Sequence, residues 1–424
     1  MDTLRSSVII ITGIIFALHY VNGVASFVLR DTAPRRVFHT RESTSSVEQS
    51  QVNVTVCKND DVNDFETRTT FDDIHISDCM TIKYSCNELR VIPRKDIEKK
   101  TKKIKATVLI QPIGVGIGRW YYDDLLKELS KYNFSGTIFD EYVFLAPDLL
   151  GCGTAANARG KDGTILKRLP MFTVDDWSYQ IINLMQSFEK QCPIISGCID
   201  WSIVSNGGCV PIALEVAKQY IQNKDETTMF HGRLKNLVLS ATPRADSLIR
   251  PEEQKKVVKA YKRLCGFVGN IFWWYALRRN GAFIEKFSEK NLLASKPSQE
   301  WTAQCVKTAK SLDGKSRYST FAFLAGSLNG ASKVRLEVLK NRKDISVDVI
   351  TGTDKRKNPA NSWFWGKRQK AEQEEKAAPE QTSMVEMLKE NGNTAREIFV
   401  NGRRCPAYED PQGFAHALVE LIDL

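Results

Sequence analysis

The chain is predicted to be an α/β protein with a mostly parallel central sheet, helices on both faces and a helical cap insertion. Three observations predict this fold class. Short apolar runs alternate with segments of helical spacing between residues 106 and 243. The alternation resumes near residue 345, after a long helical stretch. Runs such as TVLI at 107–110 and YVFLA at 142–146 are apolar throughout, which is typical of parallel strands buried on both faces.

The composition suits one large globular domain with appendages, since 42% of the 424 residues are hydrophobic and 26% are charged. The formal net charge is +10, but no RNA-recognition signature, zinc-finger spacing or heptad repeat accompanies it. No nucleic-acid partner is therefore expected. The ten cysteines form no CxxC, and the sequence has no metal-binding or cofactor fingerprint, so neither a metal nor a cofactor is expected.

The N-terminus has the pattern of a two-part targeting sequence. Residues 8–18 (VIIITGIIFAL) are too short for a membrane span but suit a secretory signal peptide, which is predicted to cover residues 1–26. Residues 27–51 begin with Phe27 and are rich in Arg, Ser and Thr, as transit peptides are. The Ala-Ser-Phe junction resembles the bipartite plastid presequence of diatoms and related algae, which implies import into the plastid stroma. A secreted or endoplasmic-reticulum protein is the alternative.

The first part of the core is predicted at 106–245, after an N-terminal extension at 52–105 that contains one alternating strand at 80–86. Thr173 has the side chain of an N-cap and Asp176 has the charge that favours a first turn, so a helix is predicted to begin there. Core strands are predicted at 106–110, 142–146, 199–204 and 234–239, and helices at 120–131, 173–190 and 209–222.

The remaining chain is divided between a cap and the second part of the core. Residues 246–340 break the alternation with a helical, basic and aromatic stretch, which predicts a cap inserted after a sheet strand. The second part, 341–424, has predicted strands at 345–350 and 396–400 and a closing helix from about residue 409. A charged insertion at 355–393 separates the two strands, and its centre is predicted to be a solvent-exposed helix or disordered.

Four turns that follow predicted strands carry the residues of interest. Their sequences are QPIG at 111–114, APDLLGCG at 146–153, SNGG at 205–208 and TGTD at 351–354. In this order they resemble the α/β-hydrolase superfamily, most of all its plant and cyanobacterial branch with a Pro-(Ile/Val)-Gly-(Val/Ile)-Gly turn. The resemblance covers residues 106–243 and 345–424. It implies the α/β-hydrolase fold and a site built from a nucleophile, an acid and a histidine base.

The SNGG turn corresponds to the G-x-S-x-G nucleophile elbow of that superfamily, with two possible frames. In one frame Ser205 is the nucleophile and Ile203 replaces the first glycine. In the other, Asn206 takes the position, and an amide cannot replace a hydroxyl nucleophile. Strand periodicity favours Asn206 and the glycines that follow favour Ser205, so Ser205 is the candidate nucleophile. A Ser-Asn N-cap on the following helix is the structural alternative.

The resemblance assigns the other roles. Ile113, Gly114 and Asn206 are the candidates for the oxyanion hole, and Asp148 has a structural role. Asp354 is the candidate acid, because it follows the strand at 345–350. The base should come from the turn after the last strand, where Arg403 and Arg404 stand. A guanidinium does not give up its proton at working pH. None of the five histidines is in that turn: His19, His39, His75, His231 and His416.

The sequence therefore predicts a catalytically reduced α/β-hydrolase-fold protein that binds a small apolar ligand or a partner. The first alternative is an active serine hydrolase that acts on a plastid lipid or pigment ester. The second is a protein of the membrane surface, because aromatics stand beside cations between residues 363 and 368. The residues of that run are Trp363, Phe364, Trp365, Lys367 and Arg368.

Overall fold

A computed structural model of the chain describes residues 53–58, 63–77, 80–93, 102–134, 137–192, 198–223, 232–243, 254–274, 281–329, 332–354 and 384–423. All of them belong to one compact unit. Within these ranges ten strands form one sheet: β1 (Asn53–Lys58), β2 (Asn63–Ser77), β3 (Met80–Pro93), β4 (Ile104–Ile110), β5 (Glu141–Pro147), β6 (Ala158–Gly160), β7 (Ile199–Asn206), β8 (Arg233–Ser240), β9 (Ser346–Gly352) and β10 (Glu397–Val400).

The sheet is open and mostly parallel. Its order is β1-β2-β3-β5-β4-β7-β8-β9-β10, with β6 paired to β3. The strands from β5 to β10 in this order are parallel, whereas β1, β2 and β3 extend the sheet as antiparallel strands. Strands β4, β5 and β7 are buried at every position, as their continuous apolar runs predict. The predicted fold class is confirmed.

Twelve α-helices fall in the described ranges. They are α1 (Asp123–Lys131), α2 (Val174–Gln191), α3 (Val210–Asn223), α4 (Gln254–Leu264), α5 (Phe267–Ile271), α6 (Gly281–Asn291), α7 (Gln299–Lys310), α8 (Arg317–Ala325), α9 (Ser332–Leu339), α10 (Met384–Glu390), α11 (Pro406–Glu409) and α12 (Pro411–Ile422). Short 3-10 turns occur at Arg119–Tyr122, Gly153–Ala156, Gly207–Cys209 and Ser311–Gly314.

Two hydrophobic cores cover the two faces of the sheet. One core contains the apolar side chains of α2, α3, α9 and α10. The other contains those of α1 and α12 together with residues of the cap helices α6 and α7. Trp177 and Trp201 are fully buried in the first core and Phe414 in the second. This layered arrangement fixes the strand ends, which position the turns discussed below.

The predicted elements correspond closely to the observed ones in the core. Helix α2 begins after Thr173, whose backbone N–H and hydroxyl both donate to the Asp176 carboxylate at 2.8 Å. The helices α4 to α8 interrupt the alternation between β8 and β9, in the stretch predicted to be a cap. The hairpin of β1 and β2 was not predicted, because β2 (NDFETRTTFDDIHIS) is polar and only half-buried, next to the edge strand β1.

Several predictions fall outside the described residues. These are the signal peptide, the transit-like segment, most of the 355–393 insertion and the run from Trp363 to Arg368. The end of that insertion is described and forms α10, with Met384, Val385 and Leu388 buried. No helix in the described ranges is long and apolar enough to cross a membrane.

Candidate functional site

Four turns converge at one edge of the sheet. They follow β4, β7, β9 and β10, and their strands are parallel, so their carboxyl ends lie on the same side. Ile110 pairs with Ser205 at the end of β4, and Val400 pairs with Gly352 at the end of β10. Open α/β sheets bind ligands outside this edge. The candidate site of this chain is therefore the space between the four turns and the cap.

The candidate nucleophile Ser205 lies inside β7 rather than in the turn. It is fully buried, and its hydroxyl has no hydrogen-bond partner among the described residues. Asn206 is the last residue of the strand and has extended backbone angles. The next residue, Gly207, has φ +56° and begins the 3-10 turn that leads into α3. Gly207 is the residue of this strand-to-helix turn with positive φ, and we call it the apex of the turn.

The neighbours of Gly207 fit this assignment. The G-x-S-x-G pattern needs a small residue two positions before and two positions after the apex. Ser205 and Cys209 stand at those positions, and both are fully buried. A Cβ at Gly207 would meet only the Ala241 carbonyl oxygen, 3.9 Å away. The apex therefore has room for a side chain and presents none.

Two backbone groups of the turn after β4 are held by neighbouring elements. The Ile113 amide is hydrogen bonded to the Cys209 thiol, whose pKa is raised by burial. The Gly114 carbonyl accepts from the Thr320 hydroxyl of α8 at 3.1 Å. Gly116 has φ +70°, and any Cβ there would overlap the backbone carbonyl of Cys305 in α7. Two cap helices therefore pack directly on the turn that contains Ile113 and Gly114.

The acid turn and the base turn lie side by side. The amide of Asp354 donates to the Gly402 carbonyl at 3.0 Å, and the amide of Thr353 donates to the Val400 carbonyl at 2.9 Å. The structure thus brings the candidate acid to the turn where a serine hydrolase keeps its base. That turn contains Arg403 and Arg404.

The base turn is fastened to the cap. The Arg404 amide donates to the Leu292 carbonyl at 3.0 Å, and the Arg403 guanidinium donates to the Lys290 carbonyl at 2.6 Å. The Glu409 carboxylate accepts from the amides of Arg403 and Ala294. Burial raises the pKa of Glu409, and these two amides oppose the rise. We call these four contacts the cap latch.

A hydrogen-bonded chain passes beneath the apex. The Asn206 side-chain amide donates to the Tyr121 hydroxyl at 3.0 Å, and that hydroxyl is hydrogen bonded to the Cys405 thiol. Burial and the nearby Glu409 raise the pKa of Cys405 to about 12, and burial raises that of Tyr121 well above its ordinary value. A neutral thiol is a poor nucleophile and a poor base, so the chain is structural.

The described histidines lie on surface elements. His416 is exposed on α12, where its ring contacts Tyr132 with centroids 5.1 Å apart. His75 is exposed on β2, and its Nδ1 is 2.9 Å from the Thr81 hydroxyl. A general base must be within hydrogen-bond reach of its proton. In the described part of the chain, neither imidazole is hydrogen bonded to the elbow or to the turns around it.

Aromatic side chains pack between the described turns and the cap. Trp120, Trp301 and Tyr408 pack together, with the rings of Trp301 and Tyr408 centred 4.5 Å apart and those of Trp120 and Trp301 5.4 Å apart. The Phe323 ring lies over Gly208, 2.5 Å from where a Cβ would be. A cavity of about 20 Å³ lies between the cap and the turn after β4, and Gly207, Asp354 and Arg403 are not among its lining residues. That volume is near the size of one water molecule.

Asp148 has a structural role, as expected. Its carboxylate accepts hydrogen bonds from the Ser85 hydroxyl, the Arg119 amide and the Thr154 amide. It thereby joins the turn after β5 to β3 and to the 3-10 turn before α1.

Two features of the site were missed from the sequence. The apex at Gly207 has the small residues Ser205 and Cys209 spaced symmetrically around it, a pattern that does not require a serine at its centre. The contribution of Glu409 was not expected, because its contacts with the 292–294 loop are between residues distant in sequence.

No protein-family model and no curated protein matches the sequence. The structure is similar to a probable hydrolytic enzyme from Pseudomonas aeruginosa, with a TM-score of 0.50 and 13% identity over 83% of this chain and 93% of that one. A peroxisomal alpha-beta-hydrolase from Saccharomyces cerevisiae gives 0.48 and 11% over 85% and 90%. At such identities the likeness shows the fold alone. The chain has the α/β-hydrolase fold.

Proposed function

We propose that this chain is an α/β-hydrolase-fold protein without hydrolase activity, which acts by binding a partner. The observation that carries the proposal is the glycine at the elbow apex. Gly207 has the positive φ of the strained position and no side chain to attack a carbonyl. Ser205 is two residues earlier, buried within β7.

The base turn supports the same proposal. In a complete triad the histidine takes the proton of the nucleophile, and removing it costs about 10⁶-fold in kcat. Arg403 and Arg404 cannot accept a proton, and the Arg403 guanidinium is directed to a cap carbonyl. Asp354 keeps its place beside this turn, but an acid without an imidazole to orient has no catalytic task.

The close packing of the described cap helices on the turn after β4 favours a partner over an apolar ligand. Small-molecule sites have volumes of about 300–1,000 Å³. The cavity between the cap and the turn after β4 is about 20 Å³, and the cap latch holds the cap in place. An active esterase that uses Ser205 is the competing proposal, and it requires the elbow to rearrange by two residues.

Labelling with a fluorophosphonate probe tests the proposal. We expect no covalent adduct on the wild-type chain, under conditions that label an active serine hydrolase to completion. Ser205→Ala should behave as the wild type does. Ser240→Ala is the matched control, because the Ser240 hydroxyl is also fully buried and unpartnered among the described residues. Labelling that disappears in Ser205→Ala and persists in Ser240→Ala would establish the esterase instead.

We also propose that the mature protein resides in the plastid stroma. The support is the apolar run at 8–18 followed by the Ala-Ser-Phe junction at 25–27. Residues 1–51 fused to a fluorescent protein should be imported into the plastid of a diatom cell. Phe27→Ala should stop import, and Phe38→Ala is the matched control. Equal import of both variants would refute the role of the junction.

A membrane-surface contact through the Trp363–Arg368 run is a third proposal. It is supported by three aromatics beside two cations in the sequence. Replacement of Trp363 and Trp365 by alanine should weaken sedimentation of the chain with anionic vesicles. No change would contradict it.

A further inference from the structure

One surface of the cap is strongly cationic. Helix α4 and its last turn contain Lys255, Lys256, Lys259, Lys262 and Arg263, and the helix has no acidic residue. The four lysines are exposed, whereas Tyr261 on the opposite side is buried. Lysines at positions 255, 259 and 262 follow the helical repeat, so they form one stripe.

A large apolar side chain is exposed directly after this stripe. Phe267 begins α5 and is 80% exposed, the highest value among the large hydrophobics of the described residues. Ile271, one turn later, is 39% exposed. Single exposed hydrophobics are common on soluble proteins. A nearly free phenyl ring at the end of a lysine stripe has the composition of an interfacial helix.

A cleft opens beside Phe267 and has a volume of about 540 Å³. Its walls include Tyr261, Cys265 and Tyr318, and Arg168 and Lys262 are also among its lining residues. The Tyr261 hydroxyl donates to the carbonyls of Leu169 and Pro170, which holds the Arg168 loop against α4. Two separate segments of the chain thus contribute cations to one cleft.

The cations of the cleft are not neutralised by carboxylates in the described part of the chain. Neither Arg168 nor Lys262 forms an ion pair there. The guanidinium of the nearby Arg317 donates hydrogen bonds to the carbonyls of Asp313 and Gly314 and to the Tyr318 hydroxyl. Burial raises the pKa of the Cys265 thiol, and the positive charges of Arg317 and Arg168 oppose that rise. Among the described residues, an anion in this cleft would meet two cations that have no carboxylate partner.

We propose that this basic cap face, formed by Lys255, Lys256, Lys259, Lys262 and Phe267 with the adjoining cleft, docks on an anionic phospholipid surface. Phe267 inserts among the acyl chains and the lysines lie at the phosphates. Arg168 and Lys262 receive one lipid headgroup in the cleft. Juxtamembrane lysines and an inserted aromatic side chain are the two contributions that such docking needs.

The basic cap face is distinct in sequence from the Trp363–Arg368 run. Its docking on lipid does not depend on whether the chain has hydrolase activity. An anionic lipid surface is the proposed occupant because this face combines lysines with an exposed phenyl ring. An acidic protein segment would use the lysines but would leave Phe267 in water. A neutral bilayer would use Phe267 but not the lysines.

Hydrogen exchange of the full chain, read by mass spectrometry, tests the proposal at the surface itself. Vesicles of phosphatidylcholine with phosphatidylglycerol should protect peptides from residues 254–271, and vesicles of phosphatidylcholine alone should not. Because the readout is local, binding by the leader or by Trp363 does not obscure it. Phe267→Ala should weaken the vesicle affinity of this surface about tenfold or more, and Lys259→Glu with Lys262→Glu should do so by a similar factor.

Matched variants make the outcome decisive. Phe399→Ala removes a phenyl ring that is 54% exposed on β10, and Lys127→Glu with Lys190→Glu removes two exposed lysines of α1 and α2. These controls should leave the protection unchanged. Equal protection by neutral vesicles would overturn the proposal. The proposal would also be overturned if polyglutamate protected this surface as strongly as anionic vesicles do and Phe267→Ala did not change that protection. An acidic protein would then be the partner.

Discussion

Restoring a hydroxyl at the elbow apex is the sharpest test of the site geometry. In Gly207→Ser the new side chain would stand at the strained position of the turn, where a serine hydrolase places its nucleophile. We expect a folded protein with a correctly placed serine and no esterase activity. The apex would then carry a hydroxyl, and neither described imidazole, His75 or His416, is hydrogen bonded to this turn.

The stability cost follows from the surroundings of Gly207. A Cβ there would have its nearest neighbour, the Ala241 carbonyl oxygen, at 3.9 Å, so no steric repulsion is expected. The backbone has φ +56°, which costs a residue with a side chain about 1–2 kcal/mol. Gly207→Ser should therefore lower the free energy of unfolding by about 1–2 kcal/mol. Gly208→Ser should lower it further, because a Cβ there would lie 2.5 Å from Phe323.

The assay combines urea unfolding with fluorophosphonate labelling and hydrolysis of a p-nitrophenyl ester. Without a histidine, the new serine should remain unlabelled on the time scale of an active enzyme, since the base accounts for about 10⁶-fold of the rate. Gly208→Ser is the control for a serine one position away from the apex.

Rapid labelling or turnover by Gly207→Ser would refute the reasoning, because some group near the Arg403 turn would then be acting as a base. If Gly207→Ser lowered the free energy of unfolding by more than about 4 kcal/mol, the stability prediction would be wrong, since such a loss exceeds what backbone strain alone explains.

Three other changes test the packing. Lys105 is buried, and burial lowers its pKa from 10.5 to about 8. Between these two values the unfolded chain binds more protons than the folded one. The free energy of unfolding therefore rises with pH across this window. Lys105→Met should remove this pH dependence and stabilise the protein at pH 7 by about 1–3 kcal/mol, measured by urea unfolding. The gain is smaller than the full cost of the pKa shift, because Asn236 loses a hydrogen-bond donor. An unchanged pH dependence would show that another group titrates. Gly116→Ala should lower the free energy of unfolding by at least about 3 kcal/mol, or prevent folding, because the added Cβ would overlap the Cys305 carbonyl. If calorimetry found this variant as stable as the wild type, the cap would be free to move away from the turn. Glu409→Gln should keep the fold but speed hydrogen exchange at residues 290–294, and exchange equal to that of the wild type would exclude the carboxylate from the cap latch.

The fold could be predicted because its signals are local. TVLI and YVFLA are apolar throughout, and the strands that contain them, β4 and β5, are buried at every position. Thr173 and Asp176 likewise form the capping box that their types and spacing indicate. The β1–β2 hairpin was not predicted, since its stability depends on pairing with β3 rather than on its own pattern.

The site could be predicted only in outline. The turns after β4 and β10 begin where they were predicted, and Asp354 does lie beside the turn of Arg403. The elbow frame depends on which residue takes a positive φ, and this is settled by how far β7 continues along its neighbours. Pairing of Asn206 with Ser240 extends the strand by two residues beyond the predicted end and moves the turn to Gly207. Register of this kind arises from the sheet and is not encoded in the SNGG segment alone.

The differences from a working elbow have one physical consequence in common. An active hydrolase keeps a serine in a strained conformation under a pocket that must stay open, and both features reduce stability. Here a glycine takes the positive φ at no side-chain cost, the Asn206 amide donates to the Tyr121 hydroxyl, and aromatic rings pack between the described turns and the cap. Each of these features favours packing over an open, strained site, and together they support the proposal that this chain acts by binding a partner.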